Sequence, residues 1–212
     1  TMSNLTQPLG LAVQNFLSAA VGIAVAIAVV RGFVRVSTGG ELGNFWVDLI
    51  RGTLRILLPL SLLVAVILLT QGVVMSFSTG FASTGLDGQA VTNALAPVAS
   101  QEAIKEIGTN GGGILVANSA HPFENPTPLS NIVEIISLLL IPVALTRTFG
   151  TMVGNRKQGL TLLAVMATLW ATMLAVTLFA ESRTRGVAAT AAGAMMEGKE
   201  VRFGIPTSAL FA

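Results

Sequence analysis

The 212-residue chain contains no cysteine and no tyrosine, and only 10% of its residues are charged, against roughly a quarter in an average soluble domain. Without cysteine there is no disulfide framework, no thiolate metal site and no thiol nucleophile. So few charges exclude an ordinary cytosolic enzyme domain. With 12 Lys and Arg against 10 Asp and Glu, the net charge of +2 excludes a nucleic-acid partner, because the basic residues form separate clusters rather than a stripe. A hydrophobic content of 52% and a mean hydropathy of +0.76 exclude disorder.

What is present is long apolar runs. No charge occurs from Thr1 to Val30, and Leu9 to Val30 is long enough to cross a hydrocarbon core that needs about 20 residues. It lacks the basic leader and cleavage site of a signal peptide. Thr53 to Leu69 predicts a second span, kinked by Pro59. Asn131 to Phe149 and Leu160 to Ala180 predict a third and a fourth. The expected fold class is therefore an all-α polytopic membrane protein. Arg31, Arg35, Arg51 and Arg55 fall between the first two spans, and Arg147, Arg156 and Lys157 between the last two, whereas Thr70 to Ser130 holds only Lys105. By the positive-inside rule the first and third connections face the cytoplasm. Within the first, Leu42 to Arg55 spaces Leu42, Phe45, Trp46, Leu49 and Ile50 as an amphipathic surface helix running into span two.

The long outer connection carries the chemistry. Thr70 to Pro97 is rich in Gly, Ser and Thr and predicts an external loop. Val98 to Ile107 predicts a helix too short to span, with Ser100 as N-cap and Glu102 in the first turn. It runs directly into Gly108-Thr-Asn-Gly-Gly-Gly113, then Ile114 to Ser119 and the proline-rich His121 to Pro128. Span, short helix, glycine-rich loop and span follow one another as in a re-entrant pore unit. Main-chain carbonyls of such a loop replace the water shell of potassium without burying a net charge. To aim them at one axis the backbone must visit positive φ, which Gly108 and Gly111 to Gly113 permit. Thr109 adds a hydroxyl and Asn110 an amide that can brace the loop. With no fixed acid in it, the loop favours a monovalent ion.

Other readings are weaker. The glycine run, which alone reads as a turn or linker, fits neither GxGxxG nor GxxxxGK[ST], so it is not a nucleotide loop. His121 and Glu124 invite a metal or intramembrane-hydrolase reading but lack the ligand count and spacing of a zinc helix. Gln14, Asn15 and Glu134 either line a pathway or, with equal weight, bond across helices and sit near the outer interface. Pro142 reads as a packing kink.

Several stretches together resemble a known family. Pro97-Val-Ala-Ser-Gln-Glu-Ala-Ile-Lys105, Gly108-Thr-Asn-Gly-Gly-Gly113, Ala117-Asn-Ser119 and His121-Pro-Phe-Glu-Asn-Pro-Thr127 are similar to the potassium-binding A subunits (KdpA) of bacterial Kdp potassium-transporting ATPases. So are Val13-Gln-Asn-Phe-Leu-Ser-Ala-Ala20, Leu42-Gly-Asn44 with Trp46-Val-Asp48, and Met196-Glu-Gly-Lys-Glu200 with Arg202-Phe-Gly204. The resemblance implies potassium-channel-like repeats of span, pore helix, filter loop and span, of which this chain holds a central part. Residues 1–30 would end the first repeat, 31–52 form a cytoplasmic loop, 53–149 be a complete second repeat, 150–159 a cytoplasmic turn and 160–212 the opening of a third repeat. It also implies a bacterial inner-membrane subunit that selects external K+ through Thr109, Asn110 and Gly111, shaped by Gly108, Gly112 and Gly113. Its partners would be an ATP-hydrolysing P-type B subunit, a C subunit and a small F subunit; this chain would bind no organic cofactor and catalyse nothing itself. The alternative function is a passive or ion-coupled channel of the pore-loop superfamily without an ATPase partner.

Overall fold

Among the described residues four helices are long and apolar enough to cross a membrane: Gln7–Val34, Phe45–Thr70, Pro128–Met152 and Arg156–Glu181. Each of the expected spans lies inside one of them. They belong to a computed structural model that describes residues 3–35, 42–115, 118–183 and 198–211. Part of the first connection (36–41), the segment 184–197 after the fourth span, and Val116 and Ala117 lie outside the described residues. Two compact units are formed, one from Thr1–Ala26 with Asn44–Leu138 and one from Ile27–Gly43 with Leu139–Ala212.

The first unit contains the N-terminal part of α1 (Val13–Arg35), which is entered through a π-helical turn, Gln7–Ala12, with a proline in its first turn. α2 (Phe45–Gly52) starts at Asn44, whose side-chain oxygen accepts from Trp46 N and Val47 N at 3.0 and 3.2 Å. It continues without interruption through the π-turn Thr53–Leu57 into α3 (Leu58–Thr70). In that turn Leu58 N bonds the carbonyl of Thr53, five residues back. Pro59 supplies the reason, since its ring crowds the carbonyl four residues before it and the wider turn makes room.

The segment after α3 corrects an expectation. Thr70 to Pro97 is not loop throughout: β1 (Gly80–Thr84) and β2 (Ala90–Ala94) pair antiparallel, Gly80 opposite Ala94 and Thr84 opposite Ala90. Asp87 and Gly88 make the turn, with Gly88 at φ +80° and the Asp87 carboxylate accepting from Gln89 N at 3.2 Å. α4 (Val98–Ile107) follows where the short helix was expected, but it begins two residues before Ser100. Pro97 occupies the N-cap position, and Ser100 instead donates to the Pro97 carbonyl at 3.4 Å, so neither the Ser100 cap nor the first-turn acid is realised. All but Ser100 of the ten α4 residues are buried, although the helix includes Glu102, Lys105 and Glu106.

α5 (Pro128–Met152) opens with a reciprocal cap: Ser130 N donates to Thr127 Oγ1 and Thr127 N to Ser130 Oγ, both at 3.0 Å. In the second unit α5 turns through Gly154, φ +72°, into α6 (Arg156–Glu181), which Asn155 caps. Gly150 and Gly159 let the two helix backbones meet. A Cβ on Gly159 would sit 2.5 Å from the Thr146 carbonyl oxygen and 3.1 Å from Gly150 Cα. α7 (Glu200–Phe211) packs against α6 and is interrupted by Gly204 at φ +77°.

Burial along the spans is inverted relative to a soluble protein. Leu62, Leu169 and Met173 are more than 60% exposed, while Glu102, Glu124 and Glu134 are completely buried. Lipid or further protein is the natural surrounding for the first set. All three of these carboxyl groups lie in the first unit.

Candidate functional site

Glycine loop 108–113 starts at a helix end closed by two nested hydrogen bonds. Thr109 N donates to the Glu106 carbonyl at 3.1 Å and Asn110 N to the Lys105 carbonyl at 3.0 Å, with Thr109 at φ +53°. This is the Schellman arrangement, in which the left-handed position is usually glycine. Here it is a β-branched residue, for which that conformation costs about 1–2 kcal/mol. The expectation that Gly108 would supply positive φ is therefore corrected. Gly108 ends α4 at φ −80°, and the left-handed residues of the loop are Thr109 and Gly111, the latter at φ +73°. Gly108 is needed for space, because a Cβ there would strike the Asn110 amide and approach the Ile104 carbonyl oxygen to 2.9 Å. Gly112 and Gly113 also lie outside the left-handed region.

Side chains hold the loop from two directions. Asn110 Nδ2 donates to the main-chain carbonyl of Asn15 on α1 at 3.2 Å, so the predicted brace exists and its partner is the first span. Gln101 on α4 donates to the Gly112 carbonyl at 3.0 Å, turning that oxygen toward the short helix. Among the described residues nothing donates to the carbonyls of Thr109, Asn110 or Gly111. Those are oxygens the loop can present to a cation. The six expected site residues are thus contiguous, but they divide into three with open carbonyls and three fixed by packing or a hydrogen bond.

Behind the loop lies a charged cluster. Lys105 Nζ is 2.6 Å from Glu102 Oε2, 3.3 Å from Glu106 Oε1 and 2.6 Å from Ser119 Oγ, and all four residues are buried. Ser119, at φ +56°, in turn donates to Glu102 and is 2.9 Å from Glu106 Oε1. Glu124, completely buried, closes the group: its Oε1 is 2.9 Å, and Lys105 Nζ 3.4 Å, from the place a Cβ on Gly113 would take. The glycine is what allows the loop to lie on the cluster. Burial alone would lower the Lys105 ammonium, yet the carboxylates of Glu102, Glu106 and Glu124 outweigh it and hold the group above its ordinary value. For Glu106 burial wins over the attraction of Lys105, and its carboxyl is pushed up.

The remaining candidates separate. His121 Nδ1 accepts from Phe123 N at 3.1 Å, and its ring rests edge-on against Phe123, so it braces a turn. Among the described residues no group of three His, Asp or Glu side chains could hold a metal ion. Asn15 is buried and Gln14 exposed, so they do not share a face. Glu134 is completely buried within the fold. Sequence reasoning missed Gln101, Glu102, Lys105, Glu106 and Ser119 as a set. Their signal was the spacing of Glu102, Lys105 and Glu106, one helical face, in a segment between apolar spans.

Over residues 1–212 the chain matches the family described as "Potassium-transporting ATPase A subunit" (KdpA). It is 81% identical to the potassium-transporting ATPase potassium-binding subunit of Rhodococcus opacus (strain B4), with all of this chain and 38% of that protein aligned. The protein of the same description from Nocardia farcinica (strain IFM 10152) is 74% identical, again over the whole chain and 38% of the relative. That of Streptomyces coelicolor is 57% identical over 213 aligned positions, with the same coverage. The chain thus spans 38% of the length of these relatives.

Proposed function

The chain belongs to the family of potassium-transporting ATPase A subunits, and from that premise we propose that it is the part of a multi-pass membrane subunit that selects K+ from outside the cell. The loop 108–113 is one sector of the selectivity filter, with α4 as its pore helix. Thr109, Asn110 and Gly111 present oxygens to the ion, while Gly108, Gly112 and Gly113 shape the backbone. The observation that carries this reading is the run of three carbonyls with no donor among the described residues, on a loop fastened by Asn110 to α1 and by Gln101 to α4. A dehydrated K+ needs several such oxygens at fixed spacing, and further sectors complete the ring. Non-helical backbone at membrane depth is tolerated only where protein surrounds it or it lines a cavity.

In this reading the first and third connections, rich in arginine, face the cytoplasm of a bacterium, and the β1–β2 hairpin stands outside the plasma membrane. ATP is hydrolysed by a P-type B subunit, accompanied by a C subunit and a small F subunit, so this chain itself performs no hydrolysis. The test is K+-stimulated ATP hydrolysis by the full-length protein in its complex, titrated with K+ and Na+, for wild type and Gly111→Asp. A charged side chain at φ +73° strains the loop and places an acid among its carbonyls. The half-activating K+ concentration should rise and discrimination against Na+ should fall. Wild-type potassium dependence in the variant refutes the filter; hydrolysis indifferent to K+ refutes the coupling to a pump and leaves a passive channel.

A further inference from the structure

Three buried carboxyl groups, Glu102, Glu106 and Glu124, surround one buried ammonium, Lys105, directly behind the loop. The regular elements packed on α4 add no charge to that group. α3 and the turn Gln7–Ala12 lie against it and contain no titratable residue, and Ser119 contributes only its hydroxyl. The loop touches the cluster at Gly113, where an added methyl group would press on Glu124 at 2.9 Å and sit in contact with Lys105 at 3.4 Å. A displacement within the cluster is therefore a displacement of the loop.

We propose that Lys105 is a positioning residue for ion selection, its ammonium drawing Glu102, Glu106 and Ser119 into one packed unit against which Gly113 rests. The inference rests on the filter reading of loop 108–113. Without the ammonium, like-charged carboxyl groups a few ångströms apart are left uncompensated in a buried position, a strongly unfavourable state that relaxes by movement or by proton uptake. Either response changes the surface on which the loop lies. If the effect comes from charge balance, removing one negative charge together with the positive one should undo much of it.

The experiment compares Lys105→Met, Glu106→Gln, the double variant and Lys105→Arg in the full-length protein within its complex, reading the half-activating K+ concentration separately from the maximal rate of ATP hydrolysis. Lys105→Met is expected to raise the half-activating concentration by about tenfold or more and to lower the maximal rate much less. The double variant should recover at least about threefold of that loss. Lys105→Arg, which keeps the charge, should lie closer to wild type than Lys105→Met. An unchanged half-activating concentration in Lys105→Met overturns the inference. So does a double variant no better than Lys105→Met, which would mark the lysine as packing alone. If Lys105→Met does not assemble, Ser119→Ala decides: it removes the hydroxyl joining Lys105 to both carboxylates, and a wild-type potassium dependence there also overturns the inference. Gly111→Asp is measured in parallel. When it shifts the potassium dependence and Lys105→Met does not, only the role of Lys105 falls; when neither shifts it, the filter reading has failed.

Discussion

Replacing Asn110 distinguishes a brace from an ion ligand, because the two roles predict opposite signs for one substitution. The Asn110 amide donates to the Asn15 carbonyl at 3.2 Å. Asn110→Ala removes a neutral hydrogen bond worth about 1 kcal/mol, and the helical Asn15 carbonyl keeps its bond within α1. A loop released by that amount should raise the half-activating K+ concentration by about fivefold. Asn110→Asp keeps the size of the side chain but sets a carboxylate oxygen against a carbonyl oxygen. The loss is then the bond plus an unsatisfied, charged acceptor, about 3 kcal/mol in a half-buried position, or roughly a hundredfold. If direct attraction between side chain and cation governed the site, the added negative charge would instead tighten K+ binding. The assay is potassium-activated ATP hydrolysis by the lipid-embedded complex, with the three proteins titrated side by side. An Asn110→Asp protein half-activated at or below the wild-type K+ concentration refutes the brace.

Two further outcomes follow from packing. Gly159→Ala places a methyl group 2.5 Å from the Thr146 carbonyl oxygen, an overpacking that costs about 1–3 kcal/mol, so the thermal midpoint of the full-length protein should fall by several degrees. Gly22→Ala, inside α1 with nothing within 4 Å of the added methyl, is the comparison, and equal midpoints for the two would show that α5 and α6 are not closely apposed. Thr127→Ala removes the oxygen that accepts from Ser130 N and donates to Gln71, and should cost about 1 kcal/mol at the start of α5. Thr127→Ser keeps that oxygen; limited proteolysis that cuts Thr127→Ser as readily as Thr127→Ala would contradict the cap.

The spans were legible because lipid imposes a coarse requirement, about 20 residues without charge, that composition alone reveals. α4 was legible for the converse reason: Val98 to Ile107 is helical in pattern and too short to cross. The β1–β2 hairpin was missed because Gly80 to Ala94 is dominated by small and polar residues, which carry little alternation, and only Asp87-Gly88 marks the turn. Within the loop, glycine content identified the place and misassigned the conformation. Thr109 takes the left-handed position because the closing bonds to Lys105 and Glu106 demand it, a local requirement of the helix end that overrides residue preference. The charged cluster was hidden by its composition. Glu102, Lys105 and Glu106 are what a solvated helix face looks like, and only the fold brings Ser119 and Glu124 over them.

The fastenings of the loop differ greatly in reach along the chain, and that has a consequence for the order in which the protein is made. Ser119 meets Lys105 across 14 residues and Glu102 across 17, whereas Asn110 meets Asn15 across 95. Closing a short segment costs less entropy than closing a long one, and it needs only chain that has just been synthesised. The ionic knot can form as soon as Glu124 has left the ribosome, before α5 is complete. α1 is synthesised well before that point, so a loop already shaped by the knot needs only to dock for Asn110 to meet Asn15.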